Sequence, residues 1–443
     1  MKVAIIGAGY VGLVTGVCLA SKGHDVVCVE KNITKVKKLS KGQATIYEEG
    51  LDELLKSVIN KKKFFVTNKF NKAINDVSLI IIAVGTPSVN GKINLEAIKD
   101  VSKKIGRYIS TSKTYVSVVV KSTVLPGTTD TVIQDIIKKS SGKKLGDFGL
   151  GMNPEFLREG NAVKDFMYPD RIVLGFEDIK TKKILEKLYS SWKTNKLSVN
   201  TRTAEMIKYA SNIILATQIS TINEINNLSS GLGGIDMRKV VRGFQLDKRW
   251  SPKINKKRIK PEILNYLIPG CGFGGSCFPK DLQAIKYQGV KLGLDMKILD
   301  SVLNVNKNQP TKVLKIFEKQ FGSLNKKSVI ILGLAFKTNT DDVRESPSIK
   351  IAKALLKKNI NLYAHDPKAM NNFKKAVGIT SSKIHYVENW KRTLKNIDIV
   401  LLLTPWKQYY ELENLKLDNQ VIFDARMSLN RKKFQNFKYF TIG

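Results

Sequence analysis

Between Gly270 and Asp281 the chain reads Gly-Cys-Gly-Phe-Gly-Gly-Ser-Cys-Phe-Pro-Lys-Asp, a nucleophile and an acid set among glycines. Gly270, Gly272, Gly274 and Gly275 let a backbone take positive φ and approach a ligand closely. Pro279 suits the first turn of a helix, and the positive end of that helix favours a thiolate at Cys277. Lys280 adds a positive charge, and Asp281 is a candidate acid or base. The same residues also describe a glycine-rich turn around a buried, inert cysteine. The stretch alone does not separate these readings.

Other residues with chemical potential are spread along the chain. Glu205, Lys208 and Asn212 fall at i, i+3 and i+7 of a long helix expected from Thr201 to Ser230, among Met206, Ile207, Ile213, Ile214 and Leu215. They form either a site or the wet side of the helix. Glu155 and Glu159 are four residues apart, so on a helical turn they would face the same way. Such a pair can do acid–base work or be solvated surface charge. Gly85-Thr86-Pro87 and Lys121 to Thr128 are candidate ligand loops at strand ends, or ordinary Pro/Gly turns.

These residues need a scaffold, and the chain opens on one. An apolar strand, Lys2 to Ile6, is followed by Gly7-Ala8-Gly9-Tyr10-Val11-Gly12, an apolar helix and a second strand, Asp25 to Val29. Glu30 comes 18 residues after Gly12, near the spacing at which an acid meets an adenosine ribose. The glycines allow the tight turn, the approach of pyrophosphate to the helix N-terminus, and close helix–strand packing. An acid at Glu30 rather than an arginine favours NAD over NADP.

Strand–helix alternation continues through Phe64 to Thr67, Leu79 to Val84, Tyr115 to Val120, Phe148 to Met152, Arg171 to Leu174 and Leu197 to Val199. Continuous apolar strands of this kind belong to a parallel sheet covered on both faces, with ligands beyond the strands' carboxyl ends. A second helical region is expected from about Leu282 to Phe321, broken near Gly289 to Asp295 and at Pro310. The α/β pattern then restarts with strands at Ser328 to Leu332, Asn361 to Ala364, Ile397 to Leu403 and Val421 to Phe423. Its first turn, Gly333 to Lys337, lacks the glycine fingerprint and should bind something other than a dinucleotide, or nothing. The fold expected is α/β: two Rossmann-like doubly wound parallel-sheet domains joined by a long central helical region. The boundaries expected are 1–200, 201–322 and 323–443.

Composition narrows the function classes. The 443 residues, 42% hydrophobic and 26% charged, are those of a soluble globular protein. Four cysteines and three histidines show neither a disulfide framework nor zinc-ligand spacing, so a reducing cytoplasm and no metal are expected. Glycines at 7, 9, 12 and 16 argue against a secretory signal, and no run approaches a membrane span. The net charge of +37 comes with lysine spread through the chain, without an arginine-rich arm or an aromatic-interleaved basic motif. It reads as compositional bias that helps attract an anionic substrate, rather than as a nucleic-acid or membrane surface.

With these pieces in order, the chain resembles the UDP-glucose 6-dehydrogenase family, within the wider UDP-glucose/GDP-mannose dehydrogenases. The resemblance runs through GAGYVG (7–12), IYEEGL (46–51), GTP (85–87), KSTVLPGT (121–128), NPEFLREG (153–160) and PDRIV (169–173). It continues through AEMIKYASN (204–212), GFGGSCFPKD (272–281), and GLAFK with TDDVRESP (333–347). It implies oxidation of a sugar C6 alcohol to a carboxylate, with two hydrides passing to two NAD, through a cysteine thiohemiacetal and thioester. Cys277 takes the nucleophile's place, Lys208 and Asn212 stabilise alkoxide charge, Asp281 and Thr123 match proton transfer through water, and Glu155 matches the hydrolytic base.

The resemblance also implies NAD contacts at Gly7, Gly9, Tyr10, Val11, Gly12, Glu30, Lys35, Thr86, Thr123, Glu159, Lys280 and Arg344. It implies substrate contacts at Glu155, Phe156, Leu157, Lys208, Asn212, Phe273, Gly274, Phe336, Lys337 and Arg426. UDP-glucose is the substrate implied, with GDP-mannose or a UDP-N-acetylhexosamine as alternatives, and a non-catalytic nucleotide or nucleic-acid binder as the remote one. The helix from 201 implies a homodimer or higher homo-oligomer. One departure stands out. The family places Asp-x-Arg shortly before the glycine loop, here Asp247-Lys248-Arg249, but Trp250 to Leu267 lengthens the connection, leaving Arg249 or Arg258 as the substrate arginine.

Overall fold

Short apolar strands bounded by glycines and acids build two large sheets. The computed structural model describes residues 1–89, 91–417, 419–434 and 438–443. The first sheet comprises β1 (Lys2–Ile6), β2 (Asp25–Val29), β3 (Phe64–Thr67), β4 (Leu79–Ile82), β5 (Ser117–Val120), β6 (Gly149–Met152), β7 (Arg171–Phe176) and β8 (Asn195–Val199). Their spatial order is β3-β2-β1-β4-β5-β6-β7-β8. The first six run parallel, and β7 turns antiparallel to β6 with Gly151 opposite Phe176. All four residues of β4, Leu-Ile-Ile-Ile, are buried, as a strand covered on both faces requires. Alternation divides β1 between two layers: Val3 and Ile5 pack with the helix α1 (Tyr10–Ser21), while Ala4 and Ile6 pack into the opposite core.

The helix α2 (Thr201–Leu232) follows β8, and the chain divides within it into two compact units, Met1–Ser211 and Asn212–Gly443. The second unit carries the rest of α2, then α3 (Phe278–Lys291) and α4 (Lys297–Phe321). Its six-stranded parallel sheet is built from β9 (Ser328–Leu332), β10 (Asn361–His365), β11 (Ile384–Tyr386), β12 (Ile399–Leu402), β13 (Val421–Asp424) and β14 (Tyr439–Thr441). Its order is β11-β10-β9-β12-β13-β14. Counted from its own first strand, each sheet follows the 3-2-1-4-5-6 winding of a Rossmann domain. Each therefore has a crevice where the winding reverses, between β1 and β4 and between β9 and β12. The helix α5 (Pro347–Leu355) starts on the Ser346 hydroxyl, which accepts from the Ser348 N–H at 3.3 Å. Among the described residues no helix is long and apolar enough to cross a membrane.

Three details differ from expectation. Pro310 lies inside α4 without breaking it. Gln309, Pro310, Val313, Leu314 and Phe317 are buried, and packing of the last three into the second sheet's core outweighs the ~3 kcal/mol that an interior proline costs. The expected break at 289–295 does occur, between Lys291 and Lys297. The lysine-rich segment after Trp250 contains a hairpin, Lys253–Ile254 against Lys257–Arg258, whose turn residues Asn255 and Lys256 both have left-handed φ. The edge strands β11 and β14, three residues each, are too short to produce a readable alternation.

Candidate active site

Cys277 occupies the N-cap of α3, with Pro279 in the first turn behind it. Cys18, Cys28 and Cys271 are buried, and burial pushes their thiols up, Cys18 and Cys271 to about 12. Cys277 is half-buried. Its carbonyl accepts the Asp281 N–H at 2.8 Å, closing the helix's first turn. The Asp281 carboxylate is 1% exposed; Oδ2 accepts from Asn212 Nδ2 at 2.7 Å, and Oδ1 pairs with Lys280. Cys277 and Asp281 thus stand one helical turn apart, the carboxylate fixed by an amide and an ammonium.

The glycines before Cys277 are imposed by what they touch. Gly275 has φ of +82°, and a Cβ there would lie 2.7 Å from the Phe336 ring. Its N–H donates to the Arg344 carbonyl at 2.8 Å. At Gly270 a Cβ would come within 2.6 Å of the Arg426 guanidinium. The loop therefore gathers Phe273, Gly274, Phe336 and Arg426 in one place, and Lys337 Nζ sits 5.7 Å from the Phe336 ring centre. Arg344 and Arg249 stay at the surface, each forked onto an aspartate two residues earlier, Asp342 and Asp247. The guanidinium of Arg258 donates to the Leu246 and Ser251 carbonyls at 2.7 and 2.9 Å, which anchors the hairpin. Of the two arginines, Arg258 is committed to backbone.

The second sheet's crevice is closed to a dinucleotide by its own carboxylate. Asp366, fully buried at the end of β10, accepts from the N–H groups of Leu334 and Ala335 at 2.8 and 3.1 Å and from Trp406 Nε1 at 3.0 Å. Its other oxygen takes the Lys368 and Ala369 N–H groups. The backbone donors that would cradle a pyrophosphate after β9 already hold an anion.

The first sheet's crevice is open. Gly7 has φ of +107°, and a Cβ there would lie 2.6 Å from the Ala83 carbonyl oxygen, so only glycine fits beside β4. At Gly9, the N-cap of α1, a Cβ would meet nothing within 4 Å. The helix start has no side-chain cap and no acid in its first turn, so the chain itself does not neutralise the positive end of the dipole that a pyrophosphate would meet. Glu30 closes β2 and accepts the Asn32 N–H, and Lys35 lies in the short helix that Asn32 caps. The Thr86 hydroxyl donates to the Thr123 carbonyl at 2.8 Å, joining the loops after β4 and β5. These residues fit an NAD-type dinucleotide. Val11 and Gly12 complete the turn, while the Tyr10 hydroxyl donates to Glu48, a buried carboxylate that also takes the Gly160 and Ala162 N–H groups.

Residues 153–158 take no regular structure, so Glu155 and Glu159 do not share a helical turn. Asn153-Pro154 disfavours helix, and Glu155 bends back to accept the Leu157 N–H at 2.7 Å. Its other oxygen meets Lys208 Nζ at 2.9 Å. Burial pushes the Glu155 carboxyl up, but Lys208, the Leu157 N–H and Lys121 outweigh it and hold it below the usual range. Lys121 is itself lowered to about 8 by burial and donates to Asn153 Oδ1 at 2.8 Å. The Phe156 ring carries the Arg171 guanidinium at 3.9 Å and Lys208 at 5.7 Å. Glu159 is buried, 9% exposed. Glu48, inside the 46–51 motif, and Glu205, on the polar face of α2, are organising carboxylates whose partners lie too far along the chain for local pattern to reveal.

Comparison with known proteins agrees with this anatomy. Models of the UDP-glucose/GDP-mannose dehydrogenase family match residues 1–193 (NAD binding domain), 202–308 (central domain) and 330–431 (UDP binding domain). The UDP-glucose 6-dehydrogenase of Rickettsia conorii is 36% identical over 452 residues, covering 100% of this chain and 99% of its own. A GDP-mannose 6-dehydrogenase of Pseudomonas savastanoi is 39% identical over 368 residues, covering 83% and 81%. The structure of a UDP-glucose dehydrogenase from Pyrobaculum islandicum superposes with a TM-score of 0.88 at 36% identity, covering 99% and 97%. The chain belongs to the UDP-glucose/GDP-mannose dehydrogenase family and is an NAD-dependent oxidoreductase.

Proposed function

We propose that this protein oxidises the C6 alcohol of UDP-glucose to the carboxylate of UDP-glucuronate, with Cys277 as covalent nucleophile. The observation that carries this reading is the half-buried thiol at a helix N-terminus one turn from the buried, amide-held Asp281. When bound at the β1–α1 turn, NAD supplies the hydride acceptor for each of the two oxidations. In the first, the C6 hydroxyl proton leaves through water toward Asp281 and Thr123 as the hydride departs, giving an aldehyde. The Cys277 thiolate then adds to the aldehyde carbon, forming a C–S bond and an alkoxide. Lys208 and Asn212, one turn apart on α2, stabilise that charge. Loss of the second hydride leaves a thioester. Water activated by Glu155 breaks the C–S bond and releases carboxylate and thiolate.

The uridine and sugar are assigned to Phe273, Gly274, Phe336, Lys337 and Arg426, four of which line the cysteine loop. Arg249, whose partner is a surface aspartate, remains available to a substrate. The 39% identity to a GDP-mannose 6-dehydrogenase favours one second reading, oxidation of a different nucleotide sugar by the same chemistry. Activity measured side by side on UDP-glucose, GDP-mannose and UDP-N-acetylhexosamines tests the assignment, and a preference for any other than UDP-glucose overturns it. Exposed Ile214, Ile225, Leu228 and Leu232 give α2 an apolar stripe suited to a homodimer. Light scattering of the purified protein tests that assembly.

A further inference from the structure

The twelve residues from Gly270 to Asp281 are pinned by carboxamides. At the start, the Gly270 N–H donates to Asn223 Oδ1 at 2.8 Å, and the Gly270 carbonyl accepts from Gln309 Nε2 at 2.9 Å. Gln309 is fully buried, and its oxygen takes Asn227 Nδ2 at 2.9 Å. At the end, Asn212 holds Asp281. Asn212, Asn223 and Asn227 all project from α2, so one helix grips both ends of the segment.

In the middle, one side chain grips the backbone on both sides. Asn306, on α4, accepts the Phe273 N–H through Oδ1 at 2.7 Å and donates from Nδ2 to the Phe273 carbonyl at 3.0 Å. A side chain thus satisfies both backbone groups of one residue, as a neighbouring strand would. The fit is close, since a Cβ at Gly272 would lie 2.5 Å from Asn306 Oδ1. Gly275 adds a backbone tether, its N–H donating to the Arg344 carbonyl. The rings of Phe273 and Phe278 meet edge to face at 5.8 Å across the cysteine.

We propose that Asn306 is a positioning residue that sets where the Cys277 thiol stands relative to the substrate loop. It touches no reacting atom and acts through Phe273. Losing either bond would loosen Phe273 and shift the glycine-rich segment that leads from it to Cys277, and displacement of a reacting group by about 1 Å can cost ~10²-fold in rate. The proposal rests on the reading of Cys277 as nucleophile, but its test does not need the sugar chemistry.

The experiment compares the full-length protein with Asn306→Ala, Asn306→Asp and Ser220→Ala. Ser220 makes a buried bond to the Val302 carbonyl at 3.1 Å, linking α2 to α4 away from the loop. Iodoacetamide alkylation of the Cys277 peptide is followed by mass spectrometry, beside kcat, both KM values and the melting temperature. Asn306→Ala should change the alkylation rate at least fivefold and lower kcat about 10²-fold, with KM for NAD within twofold. Asn306→Asp, which keeps shape and acceptor but sets a carboxylate oxygen against the Phe273 carbonyl, should also change alkylation and kcat beyond twofold and keeps the test alive should Ala fail to fold. Ser220→Ala should lower the melting temperature with alkylation and kcat within twofold. Alkylation and kcat within twofold of wild type in the folded Asn306 variants would overturn the proposal, as would equal losses in Ser220→Ala. Full oxidation by Cys277→Ser would instead sink the thiol mechanism, while the alkylation comparison would still judge Asn306.

Discussion

Lys208 Nζ lies 2.9 Å from Glu155 Oε1, with 5% and 6% of the two side chains exposed. The pair joins the start of α2 to the irregular loop after β6, which is also anchored through Asn153, Arg158 and Gly160. Lys208→Met should leave a buried carboxylate uncompensated and destabilise the protein by about 3–5 kcal/mol in urea titrations. A double Lys208→Met/Glu155→Met variant should recover much of that loss. Because Glu155 is held below its unfolded value, its contribution is present above the ordinary carboxyl pKa of 4.5 and fades as pH falls through the lower folded value. A single-variant cost under 1 kcal/mol would mean that the pair does not contribute to holding the loop as a buried ion pair should.

Glu205 predicts the opposite pH trend. Fully buried, it takes Gly127 N–H at 2.6 Å, Thr129 N–H at 2.9 Å and the Thr129 hydroxyl at 2.6 Å, tying the first turn of α2 to the loop after β5. Burial raises its carboxyl to about 7 despite these donors. A raised folded value gives stability present below 4.5 and lost as pH climbs through about 7. Compared with Glu205→Gln, the wild type should therefore lose up to about 3 kcal/mol between pH 4.5 and 7.5. A constant difference across that range contradicts the assignment.

Gly275→Ala should be costly for two reasons. A non-glycine residue in the left-handed region loses about 1–2 kcal/mol, and the methyl would push the Phe336 ring. Steady-state kinetics should give a KM for UDP-glucose raised at least tenfold with the KM for NAD little changed. Equal effects on both would place Phe336 outside the sugar-nucleotide contacts.

Asp366→Ala should strand five donors and destabilise by at least ~3 kcal/mol. Asp366→Asn should cost less. Unfolding midpoints for both variants check the order, and a neutral Asp366→Ala would show that the loop after β9 does not depend on its internal anion.

Much of this anatomy could be read from residues. Continuous apolar strands and the Gly7–Glu30 fingerprint reveal the sheets because local pattern and tertiary burial agree there. Cys277 at a helix start follows from Pro279 and its glycines. What stayed hidden is carried by side chains that act across sequence. Asn306 meets Phe273 33 residues away, Glu48 reaches Gly160 112 residues away, and Asp366 fills a loop 32 residues upstream. Polar residues in a helical pattern look alike whether they face water or a backbone. Glu155 and Glu159 misled for a related reason, since spacing of four means a shared face only where a helix exists.

The central claim is that one thiol carries a two-stage oxidation. The most direct measurement is the amount of NADH formed per UDP-glucose consumed, with purified enzyme run to completion. Two NADH per sugar nucleotide, with UDP-glucuronate as the sole product and completion abolished in Cys277→Ser, is the result expected. One NADH with free aldehyde accumulating, or two in the serine variant at full rate, would contradict it.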